Sequence, residues 1–324
     1  MSKTSKKSKN EILPIIIMAG IFVLIHFLAL AITSPFEEAG VEPAFENPDN
    51  PYNILYIFVI MLVFTLVILL ISKYWKKQVI QLIILGAIGY TAGFVIYPLL
   101  TLILPGSLYL KIPIGETTSL IIYLSSIAAF ILAVMLIYVL YKYPEWYVID
   151  TSGILIGAGA IAIFGMSLGI FLIIIFLIGL AIYDAISVYK TKHMIDLADT
   201  VMDLKLPVLL VVPKIKNYSL IKETKSLKEK IKEDEERDAF FIGLGDIVMP
   251  GILVAAVYNN IPDGILVAIS VMIGTLIGYA VLMTFVIKGK PQAGLPCLCG
   301  GAIAGYVISS LLLFGELKGL VLTF

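Results

Sequence analysis

The sequence predicts an all-α polytopic membrane protein of nine transmembrane helices, with a cytoplasmic N-terminus and an extracytoplasmic C-terminus. Three observations predict it. First, 60% of the 324 residues are hydrophobic and only 14% are charged, against about half and about a quarter in an ordinary soluble domain; the mean hydropathy is +1.02. Second, the apolar residues gather into nine runs, each close to the roughly 20 helical residues that cross a hydrocarbon core of about 30 Å. Third, the cationic residues alternate between the loops in a way that one topology explains.

The runs cover 12–33, 53–72, 78–104, 117–141, 147–165, 168–190, 239–258, 263–287 and 292–314. Lys3, Lys6, Lys7 and Lys9 precede the first, as in a signal peptide, but its length and the lack of a small-residue cleavage pattern mark a retained helix. Runs five and six are nearly continuous, with the turn placed at Gly165 to Gly169. With the N-terminus inside, 21 of the 23 Lys and Arg lie in cytoplasmic segments and only Lys111 and Lys318 lie outside. The first outside loop, Ser34 to Tyr52, instead carries Glu37, Glu38, Glu42, Glu46 and Asp49. Three parts follow: residues 1–190 with six helices, 191–238 as a cytoplasmic loop, and 239–324 with three helices.

Composition also excludes functions. Twenty-three Lys+Arg balance 23 Asp+Glu, so no basic field for nucleic acid exists. Cys297 and Cys299 are too close together for a disulfide framework, and two histidines give no Cys/His zinc cluster. No metal or organic cofactor is expected. Gly165-Met166-Ser167-Leu168-Gly169 has the Gly-x-Ser-x-Gly spacing of a nucleophile elbow, but lacks the strand-turn-helix context. Ser167 falls on the outside turn, away from His193 inside and His26 in helix one. His26 reads as a hydrogen bond to a neighbouring helix, and Gly86, Gly89, Gly93, Gly153 and Gly157 as close-packing faces.

A carboxylate at a helix centre costs about 2.5 to 3.5 kcal/mol on insertion scales and is a functional candidate by default. Two lie well inside the runs, Asp184 and Asp246. On a helical rise, Asp184 is about 9 Å before Lys190 and Asp246 about 13 Å after Arg237, in consecutive antiparallel helices and the same cytoplasmic third. Two carboxyls at one depth cannot both ionise cheaply in low dielectric, so one keeps its proton and the other serves as base. Such a pair activates a water against a peptide carbonyl and stabilises the oxyanion, which is aspartyl proteolysis. The same pair would also suit a proton- or ion-coupled transporter, and in a purely structural protein both would be dispensable.

Local sequence adds three features. Asp246 closes Gly243-Leu244-Gly245-Asp246, where glycine admits a substrate backbone. Asp184 follows Tyr183, whose hydroxyl suits an apolar and wet boundary. At the mouth of run nine, Pro291-Gln292-Ala293-Gly294-Leu295-Pro296 leaves backbone groups that the helix does not pair, tolerable only beside protein or a water-filled cavity.

In that order across nine spans, Tyr183-Asp184, Gly243-Leu244-Gly245-Asp246 and the Pro-bearing start of run nine resemble the presenilin and signal-peptide-peptidase superfamily of intramembrane aspartyl proteases. Tyr183 to Tyr189 and Tyr141 to Asp150 (YKYPEWYVID) resemble its archaeal presenilin homologues. The resemblance implies that Asp184 and Asp246 are the catalytic pair. It implies substrate-binding roles for Tyr183, Gly243, Leu244, Gly245, Ala293, Gly294, Leu295 and Pro296. The family's Pro-Ala-Leu motif falls on Ala293-Gly294-Leu295, so the first proline is absent in register and Gly replaces Ala. The topology matches the presenilin side, which implies single-pass substrates with their N-termini outside, in a cell membrane, with a homo-oligomer open.

The cytoplasmic loop is not uniform. Met194, Leu197, Ala198, Val201 and Met202 form one face of a short amphipathic helix, with Asp196, Asp199 and Asp203 away from it. Pro207 to Pro213 reads as an edge strand closed by prolines, able to hold an unwound substrate by backbone pairing or simply to pack at the interface. Lys214 to Asp238 alternates Lys and Glu and reads as a solvated loop; the resemblance permits its self-cleavage.

Overall fold

Within hydrocarbon a backbone must satisfy its own hydrogen bonds, so unbroken apolar runs become helices. The computed structural model describes all residues except 1, 39, 75–76, 104–119, 192–206, 216–217, 222–238, 288–291 and 321–324. Among the described residues there are nine α-helices, one in each apolar run. They are α1 (Ser2–Glu38), α2 (Tyr52–Tyr74), α3 (Lys77–Ile103), α4 (Leu120–Lys142), α5 (Trp146–Ser167), α6 (Ile170–Ile186), α7 (Leu244–Asn260), α8 (Ile265–Val286) and α9 (Leu295–Phe314). Over the described residues seven helices are long and apolar enough to cross a membrane, and α7 is a shorter apolar helix. The amphipathic helix expected over 194–203 lies outside the described residues, as does most of the charged loop that follows.

The near-continuous fifth and sixth runs break at Leu168 and Gly169, both extended. Ser167 is structural there: its hydroxyl donates to the Ile163 carbonyl at 2.6 Å and accepts the Ala44 N–H at 2.8 Å. Gly169 N–H adds a bond to the Pro48 carbonyl at 2.9 Å. The acidic loop after α1 is thereby fastened to the α5–α6 turn. At the other end α6 finishes in a π-helical turn, Ser187–Thr191.

The seventh run differs from its expectation. Residues 239–243 are not helical: β1 (Leu209–Pro213) and β2 (Ala239–Gly243) pair antiparallel, Leu209 opposite Gly243 and Pro213 opposite Ala239. Two phenylalanines and an isoleucine suit a pleated, half-buried surface, and the two glycines that follow are poor helix residues. The helix therefore begins only at Leu244, and the helical-rise estimate of Asp246's depth does not apply.

A helix apolar on every side belongs in the interior, and α7 is that helix. Leu253, Val254, Ala255, Ala256 and Val257 are all fully buried, among α1, α5, α6, α8 and α9. His26 of α1 reaches it as expected, Nε2 lying 3.2 Å from the Ile247 carbonyl. Gly89 and Gly93 seat α3 against Ile137 and Ala133 of α4, whereas Gly86 faces open space. Gly274 and Gly278 of α8 meet Gly301, Gly305 and the Cys297 carbonyl of α9 backbone to backbone, the close crossing that small residues spaced four apart permit.

Candidate active site

Three helix ends meet at the sheet. Asp184 sits in the last turn of α6 and is 3% exposed. Asp246 sits in the first turn of α7, and the start of α9 lies against both.

The N-terminus of a helix leaves N–H groups without intrahelical partners, and these supply the geometry. At α9, Gly294 is the cap residue, Leu295 is the first helical residue, and Pro296 follows with no N–H to satisfy. Leu295 N–H donates to Asp184 Oδ2 at 3.1 Å, and the Gly294 backbone faces the same carboxylate. At α7 the cap is Gly243, and Asp246, three residues on, turns its carboxyl back toward the Gly243 backbone. That is the acidic half of a capping box. Both N-termini direct positive partial charge at the pair.

Gly294 stands between the two acids. A Cβ there would lie 3.2 Å from Asp246 Oδ2, and a Cβ on Gly243 3.3 Å from the same atom. The carboxyls are close enough to repel one another electrostatically. Two acids on different helices are thus brought to one point, braced by N–H groups and flanked by residues without side chains.

The other residues singled out in the sequence divide into two sets. Gly245 is exposed, and a Cβ on it would meet nothing within 4 Å. Ala293 is buried, and Gly294, Leu295 and Pro296 form the α9 entry that carries the N–H to Asp184. Leu244 turns toward α5, where its Cδ1 would be 3.1 Å from a Cβ on Gly157. Tyr183 is 70% exposed and stands apart from the hydrogen bonds of the acid pair. Pro291 lies outside the described residues.

Two features escaped the sequence. Cys299, buried on α9, lies within electrostatic reach of both acids. Asp150, three residues into the fifth run, is buried and accepts the Val211 N–H of β1 at 2.8 Å. Near a run's end its carboxyl is not set apart by depth, as one at a helix centre is. Among the described residues no group of three or more His, Cys, Asp or Glu could hold a metal ion.

Residues 19–315 match the family model described as signal-peptide peptidase, presenilin aspartyl protease. Two solved structures of a presenilin family intramembrane aspartate protease resemble the chain closely. The form in space group C222 is 33% identical, with a TM-score of 0.65, covering 92% of this chain and 99% of that one. The form in space group P2 is 32% identical, with a TM-score of 0.62, covering 91% and 96%. No curated protein sequence matches the chain.

Proposed function

The chain belongs to the signal-peptide peptidase, presenilin aspartyl protease family, whose members are multi-pass intramembrane proteases, and on that premise we propose that Asp184 and Asp246 form its catalytic dyad. The observation that carries this reading is the meeting of the two acids across Gly294 at three helix ends. The substrates are transmembrane helices of single-pass proteins with their N-termini outside. The enzyme spans a cell membrane nine times, N-terminus in and C-terminus out, with the dyad toward the cytoplasm. A transporter using the same acids finds no support in family or fold.

In this mechanism the dyad holds one proton. The ionised carboxylate takes a proton from water as the water oxygen bonds to the scissile carbonyl carbon. The protonated acid gives its proton to the carbonyl oxygen, leaving a neutral tetrahedral diol. Breakdown cleaves the C–N bond as the acid that took the water's proton passes it to the departing nitrogen, while the other carboxylate takes a proton from a diol hydroxyl and the carboxyl of the new C-terminus remains.

A helix hides its peptide bonds, so the substrate must unwind before that step, and the sheet offers it pairing partners. Hydrogen-bonded pairs alternate along an antiparallel ladder. Leu244 N–H donates to the Val208 carbonyl at 2.8 Å, so the even-numbered residues pair inward and the odd-numbered ones face outward. On β1 the outward Val211 N–H is already taken by Asp150. The docking edge is therefore β2, through Phe241, on the strand that runs into Asp246, rather than the Pro-bounded β1.

The test is cleavage of a single-pass helical substrate by the purified protein in detergent. Wild type should cut within the apolar segment and be blocked by a transition-state mimic of aspartyl proteases. Asp184→Asn and Asp246→Asn should keep their thermal unfolding profiles and yield no product. Cleavage by either variant would remove the dyad.

A further inference from the structure

We infer that Asp150 is a positioning residue for the cleavage site, acting through β1 as a clamp on the docking sheet; this rests on the docking of substrate at β2. An isolated two-stranded ribbon is at best marginally stable. A slip of one residue would exchange its faces, and here the faces belong to different clusters. Leu210, Val212 and Ile242 enter the main core, whereas Val211 and Ala239 join a second cluster with Leu85, Leu140, Ile149 and Tyr218. A bond from outside the ribbon can pin the register that burial of both faces already favours.

The first turns of α5 do so. Asp150, 7% exposed, accepts the Val211 N–H at 2.8 Å on the outer edge of β1. Three residues on, a Cβ at Gly153 would lie 2.9 Å from Leu210 Cδ2, and at Gly157 the next contact is Leu244. One face of α5 therefore bears on β1 and on the start of α7 together. Glu145, just before α5, grips the chain again beyond the strand: Oε1 accepts the Ser219 hydroxyl at 2.6 Å and Oε2 the Leu220 N–H at 3.1 Å.

Burying a carboxyl is costly unless its hydrogen bonding compensates. A backbone N–H is the partner that fixes a strand without specifying its side chains. Because β1 sets the register of β2, and β2 ends at Gly243 beside Asp246, the clamp decides which peptide bond of a docked strand faces the dyad. Its role is played through the sheet, since Asp150 does not touch substrate.

The experiment compares Asp150→Leu, Asp150→Asn and Val211→Pro in the full-length protein, mapping product termini by mass spectrometry alongside kcat and KM. Asp150→Leu removes the acceptor. Val211→Pro removes the donor from the other side, at an outward N–H where an edge strand tolerates proline. Both should spread cleavage over neighbouring peptide bonds and raise KM about tenfold, with kcat changed less than about threefold. Asp150→Asn keeps an acceptor oxygen and should restore the wild-type cut. Should Asp150→Leu fail to fold, Val211→Pro decides. Dyad-dependent cleavage at unchanged positions and KM in Val211→Pro would overturn the clamp alone, as would Asp150→Asn as impaired as Asp150→Leu. Cleavage surviving in Asp184→Asn would instead overturn the reading beneath it.

Discussion

Gly278→Ala tests whether the α8–α9 crossing sets the geometry of the acids. The new Cβ would lie 2.9 Å from the Cys297 carbonyl carbon and 3.2 Å from Leu298 Cα, where carbon atoms in contact sit about 3.5 to 4.0 Å apart. The obstacle is backbone on both helices, so the first turn of α9 has to withdraw by at least about 0.6 Å. Cys297 is two residues beyond Leu295, whose N–H bond to Asp184 is 3.1 Å long. The same withdrawal takes that bond to about 3.7 Å, outside hydrogen-bond range. Overpacking of this kind costs about 1 to 3 kcal/mol of stability, and misplacement approaching 1 Å costs up to about a hundredfold in rate. Cleavage of a single-pass substrate in detergent, with thermal unfolding in parallel, should therefore show turnover falling tens of fold in a protein that still folds. Gly300→Ala on the same helix, where nothing lies within 4 Å, is the control and should match wild type. Wild-type turnover in Gly278→Ala, or an equal fall in Gly300→Ala, would refute the argument.

Gly243→Ala, with a Cβ 3.3 Å from Asp246 Oδ2, should lower kcat about tenfold by displacing that carboxyl, while Gly245→Ala, facing open space, should stay within about threefold; steady-state kinetics separates them. Replacing Val208 to Val212 by Gly and Ser should abolish cleavage, whereas deleting 222–238 should be tolerated, and equal loss of product on a gel would remove the sheet from the mechanism. Ser167→Ala should cost about 1 kcal/mol through loss of the Ala44 bond, seen as a lower unfolding temperature with full proteolytic activity; an inactive but folded variant would reopen a serine mechanism.

Much of this architecture is legible in the sequence because lipid leaves the backbone few choices. Each apolar run carries a helix, and Asp184 and Asp246 stand out because acids are rare inside such runs. Periodicity failed where polarity ceased to alternate: Ala239 to Gly243 is apolar whether helix or strand, and only pairing with β1 decides between them. The Leu295 bond to Asp184 was hidden for another reason. An N–H left over at a helix start is readable from Gly294 and Pro296, but its acceptor lies 111 residues away in sequence. Asp150 shows the same limit, since its partner is a backbone group that any residue at position 211 except proline would provide.

The 17-residue α7 is at the short end of what a span needs and is enclosed on its sides by other helices. Lipid chains press instead on α2 and α4, whose outward leucines, isoleucines and valines are widely exposed. When bilayer thickness differs from helix length, the helices in contact with lipid answer by tilting or by deforming the membrane around them. Here those are the outer helices, while the one that carries Asp246 answers only to its protein neighbours. The turn that carries Asp246 is in this way shielded from the thickness of the membrane, whereas Asp184 rides on α6, which leaves Ile178 and Ile182 exposed and so meets that thickness directly.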